Sequence, residues 1–144
     1  MYKTIRIVLG IFFIIVAIAI SSCTFFNPDK CLVEPPLECV EFGVTGDDGS
    51  GHGILNIKLK NNQDSTASYW FNAFDSFEFT ETACTILPNR GMGIPPNGNL
   101  DLTCTYNYTF SPGEKYQFEL EGKYLKQGDM NTTSIMGEVY GEAE

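Results

Sequence analysis

The chain has 144 residues, of which 43% are hydrophobic and 19% are charged, a composition typical of one ordinary domain with an additional segment. Nine basic and eighteen acidic residues give a formal net charge of −9. This balance argues against a partner that is nucleic acid or an anionic membrane, either of which would need a basic face. The length excludes two large domains.

Residues 1–26 predict a signal peptide or a membrane-anchor helix. Lys3 and Arg6 precede an uncharged apolar run, residues 7–20, whose length fits a signal-peptide core. Counting on to Phe26 reaches the roughly 20 residues that a spanning helix needs, so both alternatives stay open. The two basic residues place the N-terminus in the cytoplasm and the rest of the chain, with a net charge of −11, outside.

Cys23 ends this segment in a sequence, ISSC, that resembles the lipobox of lipoproteins. In that family the cysteine is acylated and becomes the mature N-terminus, so the resemblance implies lipidation at Cys23. The alternative is a cysteine that happens to end an apolar segment. Lipidation is favoured because it leaves an even number of cysteines for an oxidising compartment. The membrane is therefore a predicted partner, through the N-terminal segment or through a lipid.

The four remaining cysteines predict two disulfide bonds, Cys31–Cys39 and Cys84–Cys104. The first pair brackets a short stretch whose two adjacent prolines cannot be helical, so that this stretch can loop back on itself. The second pair brackets a turn-rich excursion between two strand-like runs. A zinc site is the alternative, but no spacing matches the two to four residues that separate the cysteines of structural zinc sites.

From residue 40 onward, apolar residues recur at every second position, which is the pattern of half-buried β-strands. Turns rich in Gly, Pro, Asn and Asp separate these runs, and no segment after residue 27 has a helical period. We therefore expect an all-β domain over residues 27–144. It should be an immunoglobulin-like antiparallel β-sandwich of about seven strands, preceded by an N-terminal hydrophobic α-helix. The runs are residues 40–44, 55–59, 69–79, 100–104, 116–120 and 132–140.

The aromatic stretch YWFNAFDSFEF, residues 69–79, allows two interpretations. Alternate residues of a strand point to opposite faces, so Trp70 and Phe74 are expected to face outward. An exposed aromatic row would be a contact patch for a sugar or a protein. The alternative, which we favour, is a strand that is covered on both sides. The residues expected to face the core are Tyr69, Phe71, Phe77 and Phe79.

The order of several short motifs is informative. A close cysteine pair leads straight into VEFGV at residues 40–44, a second cysteine pair follows, and the chain continues through GEKY at 113–116 to GEVYGE at 137–142. This layout, over residues 31–144, resembles the globular part of archaeal type IV pilin-like surface proteins. The resemblance implies an immunoglobulin-like sandwich on an apolar N-terminal helix, assembled into filaments or displayed at the envelope for adhesion.

The N-terminal segment differs from that of the pilin-like family. Gly10 follows Leu9 rather than a basic residue, and no acidic residue occurs before Asp29. Cleavage after Gly10 would leave only ten apolar residues before Ser21, which is a short helix for the core of a filament. We therefore expect a pilin-type domain on a lipid or signal anchor, with self-association into filaments as the alternative.

The sequence contains few residues in arrangements that are typical of catalytic sites. His52 is the only histidine and Ser50 lies outside any nucleophile motif, so no Ser-His-Asp triad can be assembled. No phosphate-binding loop or dinucleotide motif occurs either. Asp47 and Asp48 offer carboxylates to Ca²⁺ in one glycine-rich loop, but EF-hand spacing is absent and a plain turn is favoured. We predict no enzymatic activity, no cofactor and no metal.

Asn107 and Asn131 begin the sequons NYT and NTT and are glycosylation candidates, because the predicted topology places both outside. Two classes of function stay open. The first is a non-enzymatic, membrane-anchored surface protein with a structural or adhesive role. The second is an extracytoplasmic module that binds a cation through the acidic loop or a glycan through the aromatic face.

Overall fold

The structure, a computed structural model, describes residues 29–88 and 93–144. These residues form an all-β domain of two antiparallel sheets, without any helix in this part of the chain. The predicted helix over residues 1–26 lies outside the described residues. The strands are β1 Lys30–Val33, β2 Leu37–Thr45, β3 Gly53–Asn61, β4 Ala67–Asp75, β5 Thr80–Ala83, β6 Thr85–Leu87, β7 Asn99–Tyr106, β8 Lys115–Lys126 and β9 Thr133–Glu142.

The strands are divided between a five-stranded sheet, in the order β1-β9-β8-β4-β5, and a four-stranded sheet, in the order β2-β3-β7-β6. The structure has more strands than the seven expected because β1, β5 and β6 have only three or four residues each. Runs this short cannot show a clear alternation in the sequence. They occur where the chain passes from one sheet to the other, between β1 and β2 and between β5 and β6.

The core lies between the two sheets and is built by the predicted alternation. In β3, for example, Leu55, Ile57 and Leu59 are buried, while Asn56 between them is exposed. Leu100 and Leu102 of β7 and Phe118 and Leu120 of β8 follow the same rule. Full burial of one such side chain contributes roughly 1.5–3 kcal/mol, so this alternation is what holds the sheets together.

Val40 departs from the expected alternation. The pairing of β2 with β3 shifts between Cys39 and Glu41, which is the signature of a β-bulge. The shift turns the side chain of Val40 outward, where it is 53% exposed, although Val44 further along the strand is buried. The prediction of an inward-facing Val40 is therefore wrong.

Aromatic rings fill one end of the core. The rings of Tyr106, Phe110, Tyr116 and Phe118 contact one another with centroids 4.6–6.3 Å apart. The hydroxyl of Tyr116, at the start of β8, accepts a hydrogen bond from the backbone N–H of Ser111 at 2.8 Å. This bond fixes the loop between β7 and β8 against the strand that follows it.

A polar network lies at the other end of the core. Asn61 is fully buried, and its amide nitrogen donates to three backbone carbonyls at 3.0–3.2 Å. Its Oδ1 accepts from the N–H of Gln63 and from the hydroxyl of Tyr69. Both loops at this end are thereby attached to one side chain. The three carbonyls belong to Ser65, Ile94 and Pro95.

The two ends of the sandwich can be told apart by the strand register. β1 begins at Lys30, which is opposite Tyr140, and β8 begins at Lys115, which is opposite Glu142. Asp29 therefore lies at the end that also carries loops 46–52 and 107–114 and turn 76–79, and we call this the N-terminal end. The opposite end carries residues 34–36, 62–66 and 127–132.

Candidate contact surface

The outer surface of the five-stranded sheet carries a row of alternate residues from β4, namely Trp70, Asn72 and Phe74. Asn72 is exposed, and the two rings are half-buried on the side of the sheet that faces away from the core. Both rings therefore point away from the core, and the favoured expectation, that another segment or a neighbour covers this side of the strand, stays a prediction. We call this row, with its cross-strand neighbours, the outer aromatic face. The neighbours on β8 are Lys123, Glu121 and Glu119, in the same order.

The outer aromatic face is grooved and acidic. One groove of about 360 Å³ runs over Trp70, Asn72, Glu121 and Met136. The amide nitrogen of Asn72 donates to Oε1 of Glu81 at 2.7 Å, which holds that amide in place. Aromatic faces beside carboxylate and amide groups can stack on an apolar ring surface while they hydrogen-bond to hydroxyl or amide groups around it. The arrangement is suited to contact with a sugar or a protein side chain.

A larger depression of about 440 Å³ lies on the outer surface of the four-stranded sheet. Glu41 and Lys58, which line it, already form an ion pair at 3.2 Å, and Thr103 donates to Oδ1 of Asn56 at 3.1 Å. The hydrogen bond that Lys58 donates to Oε2 of Glu41 is the main reason why the pKa of Lys58 lies above its ordinary value. These four polar side chains are engaged with each other, and this makes the four-stranded sheet the weaker candidate.

Phe77 and Phe79 lie outside the core, so the prediction that they face inward is wrong. β4 ends at Asp75, and the following turn points both rings into solvent, where they are 64% and 80% exposed. The buried carboxylate of Asp75 causes this ending, because its Oδ1 accepts from the N–H of Phe77 at 2.8 Å. Its Oδ2 accepts from the hydroxyl of Tyr108.

The acidic loop between β2 and β3 is closed by its own carboxylates. Oδ1 of Asp47 accepts from the N–H groups of Gly49 and Gly51 at 2.8 and 3.0 Å. Oδ1 of Asp48 accepts from those of Ser50 and His52 at 2.7 and 3.3 Å. The bond from Ser50 is the main reason why the pKa of Asp48 lies below its ordinary value.

Asp47 and Asp48 therefore act in this loop as acceptors for backbone N–H groups. Nδ1 of His52 lies 3.6 Å from Oδ2 of Asp48, so the imidazole faces a carboxylate of its own loop. Among residues 29–88 and 93–144, no three His, Cys, Asp or Glu side chains are grouped closely enough to hold a metal ion. The loop brings the two weak candidates for calcium ligands together in a turn, and the expectation that no metal binds there stays a prediction.

Both predicted disulfides are present. Cys31–Cys39 joins β1 in the five-stranded sheet to β2 in the four-stranded sheet, with Cα atoms 6.0 Å apart. Cys84 lies between β5 and β6, where the chain crosses between the sheets, and it is bonded to Cys104 of β7. Each bond therefore lies at a crossing point between the sheets, and the residues that it joins cannot separate there while the disulfide is intact.

The sequon asparagines, Asn107 and Asn131, are both exposed and both lie in loops. Asn107 is at the N-terminal end of the sandwich and Asn131 at the opposite end. Either side chain is accessible to a glycosylating enzyme. Cys23, the candidate for lipidation, lies outside the described residues.

No protein-family model, no curated protein and no solved structure matches this chain. Within the described part of the chain, no helix has the length and apolar character needed to cross a membrane.

Two features could not be predicted from the sequence: the burial of Asn61 and the outward turn after Asp75. Asn61 begins the polar stretch NNQDST, residues 61–66, whose composition is typical of an exposed turn, and only the structure places Asn61 in the core. The outward turn after Asp75 was missed because the aromatic pattern continues through it. A signal was present in Asp75 and Ser76, which are residues typical of turns inside an otherwise apolar stretch.

Proposed function

We propose that this chain is a non-enzymatic, membrane-anchored surface protein of the archaeal type IV pilin-like kind, and that its acidic sandwich acts by contact outside the membrane. Two disulfides in a domain of this size support an oxidising location, since such bonds are rare in the reducing cytosol. The anchor is the N-terminal segment, or a lipid on Cys23.

The strand order supports an immunoglobulin-like class for the sandwich. The order β2-β3-β7-β6 corresponds to strands A-B-E-D of that fold, and β9-β8-β4-β5 corresponds to G-F-C-C′. The hydrogen bond between Tyr116 and the backbone of Ser111 has the position of the tyrosine corner, at the start of strand F. Two features differ: the disulfides do not join strands B and F, and Trp70 on strand C faces outward.

The observation that carries the contact role is the outer aromatic face. Trp70 and Phe74 lie half-buried on a surface whose folding core is on the other side of the sheet. The central strands β4 and β8 hold them rigidly, with paired neighbours on both edges. A surface with rigid aromatic anchors and a polar surround has the composition of a protein or sugar contact site.

The test compares adhesion or aggregation of cells that display the chain. Replacing both rings, with Trp70→Ser and Phe74→Ser together, should abolish contact while the chain stays at the surface in normal amount. Val40→Ser is the matched control, because Val40 is an exposed apolar residue on the other sheet. Equal adhesion by the double variant, the control and the unchanged chain would contradict a contact role for this face.

A glycan is the second candidate for the occupant of the outer aromatic face. The groove places Trp70 beside the amide of Asn72 and the carboxylate of Glu121, which is a combination suited to sugar rings. Trp70 is the only tryptophan in the chain, so its fluorescence reports on this groove alone. A shift of the Trp70 emission on adding an oligosaccharide would favour a glycan. An unchanged emission, together with adhesion of cells that display the chain, would favour a protein.

A further inference from the structure

The N-terminal end of the sandwich presents an apolar turn that lies outside the core. Phe77 and Phe79 are 64% and 80% exposed at the tip of the β4–β5 connection. Phe79 has a φ of +54°, a left-handed conformation that is unfavourable for a bulky aromatic residue. Backbone strain that exposes an apolar side chain points to a use outside the folded domain.

The turn is held firmly in this outward position. The buried carboxylate of Asp75 binds the N–H of Phe77 and the hydroxyl of Tyr108. The ring of Phe77 leans on Tyr116 with centroids 6.0 Å apart, and that of Phe79 leans on Phe74 at 6.4 Å. The two exposed rings therefore project from a fixed base.

The chain enters the sandwich at this same end. Asp29 forms an ion pair with Lys115 at the start of β8, with Oδ1 and Nζ 3.2 Å apart. Asp75, which precedes the turn, is opposite Phe118, only three residues further along β8. Only Asn27 and Pro28 lie between Asp29 and Phe26, the last residue of the predicted anchor segment, so Asp29 is three positions from that segment. Three extended residues reach about 10 Å, and the six residues from Cys23 reach about 20 Å.

We propose that the N-terminal end rests on the membrane and that Phe77 and Phe79 insert among the headgroups of a zwitterionic lipid surface. This inference relies on the membrane anchorage of the proposed function and adds a second point of contact. With either anchor, the tether is short enough to hold the turn against the bilayer. Apolar and aromatic side chains are favourable at the boundary between headgroups and acyl chains.

The charge of this end selects the kind of lipid. Asp47 and Asp48 in the loop beside it, the exposed Glu78 between the two rings and the terminal Glu144 are all acidic. An anionic bilayer would repel these carboxylates over about 10 Å at moderate salt. Insertion should therefore be strongest in phosphatidylcholine and weaken as anionic lipid is added.

The test uses the full chain in phosphatidylcholine vesicles, with and without bromine on the acyl chains as a quencher. Trp70→Phe removes the only tryptophan, and Phe79→Trp then places a single reporter in the turn. Met130→Trp in the same background is the matched control, because Met130 is 98% exposed in the β8–β9 loop. The length of β8 separates the two reporters by roughly 40 Å.

The proposal expects that brominated lipid lowers the emission of the reporter at position 79 and that this emission lies at shorter wavelength than that of the control. The control should not respond to bromine. Unquenched emission at position 79, in chains that sediment with the vesicles, would overturn the insertion and leave the anchorage intact. Chains that stay in the supernatant would overturn both. Should Phe79→Trp not fold by circular dichroism, Phe77→Trp serves in its place with the same outcomes.

Discussion

The hydroxyl of Tyr69 donates a hydrogen bond of 2.8 Å to Oδ1 of Asn61, inside the core. The same hydroxyl accepts a bond of 3.0 Å from Nε2 of Gln63. Asn61 ends β3 and Tyr69 lies in β4, so this bond joins the two sheets through polar groups inside the core. Asn61 also binds backbone groups of Ser65, Ile94 and Pro95, so the position of both loops depends on this side chain.

Asn61→Ala should lower the free energy of unfolding by about 3 kcal/mol or more, because it leaves two buried donors and three carbonyls, one of them in a buried hydrogen bond, without this partner. Denaturation in urea measures the loss. The control is Asn62→Ala, which removes an exposed bond to Glu38 and should change the value by less than about 1 kcal/mol. Equal effects of the two substitutions would contradict the role given to Asn61.

Stability should fall at alkaline pH. Burial raises the pKa of Tyr69 to about 12, and burial also raises the pKa values of Tyr106 and Tyr108, the latter with help from Asp75. Unfolded tyrosines lose their protons near pH 10, while these three keep theirs in the folded state. The contribution of these three tyrosines to the free energy of unfolding is therefore fully present below pH 10, and it falls between pH 10 and 12. Each tyrosine contributes a slope of roughly 1.4 kcal/mol per pH unit there.

The measurement is phenolate absorbance in parallel with unfolding at each pH. Three of the seven tyrosines should ionise late, together with unfolding. Tyr69→Phe should make the slope of the free energy of unfolding against pH shallower, because one tyrosine fewer loses its proton on unfolding. Ionisation of all tyrosines near pH 10 in a chain that is still folded would contradict this picture.

Gly122→Ala should destabilise the domain, although the substitution adds only one methyl group. A Cβ at this position of β8 would overlap the ring of Phe71 and lie 2.7 Å from Cγ2 of Ile135. Overpacking of this kind costs about 1–3 kcal/mol. Gly43→Ala in β2 is the matched control, because no atom lies within 4 Å of its Cβ. Thermal melting should show a lower Tm for the first variant only, and a lower Tm for both would indicate a backbone effect instead.

The two disulfides should differ in their resistance to reduction. Cys84 and Cys104 are almost fully buried, whereas Cys31 and Cys39 are partly exposed at the edge of the sandwich. Because a reductant must reach a sulfur atom, Cys31–Cys39 should open first in the folded protein. Loss of either bond should cost about 2.5–3.5 kcal/mol, from the loop each one closes. Alkylation at low reductant, followed by peptide mapping, identifies the order, and simultaneous opening would show that the buried bond is accessible.

The sequence was sufficient for an all-β sandwich and its long strands, because burial of one face leaves a period of two in them, and the short stretches between the cysteines were sufficient for the disulfide pairing. Leu55, Ile57 and Leu59 are a clear example. It was insufficient where one residue changes the register. Val40 turns outward at a bulge, and Phe77 and Phe79 turn outward after Asp75, while the apolar spacing continues unchanged through both places.

The outer aromatic face could be predicted only in part. Alternation along β4 gave the orientation of Trp70 and Phe74, since that depends on the strand alone. The carboxylates of Glu119 and Glu121 beside them come from β8, nearly fifty residues later in the chain. Such neighbours depend on which strands pair, and nothing local to β4 in the sequence determines that.

The central claim, that this is a disulfide-stapled domain held at the outer side of a membrane, is tested most directly by the intact mass of the chain recovered from cells that express it. The account predicts a membrane-bound chain that begins at a lipid-modified Cys23 and gains four hydrogens on reduction, two for each disulfide. A membrane-bound chain that still begins at Met1 would assign the anchor to the apolar helix instead. A chain in the soluble cytoplasmic fraction with its cysteines as free thiols would contradict the claim.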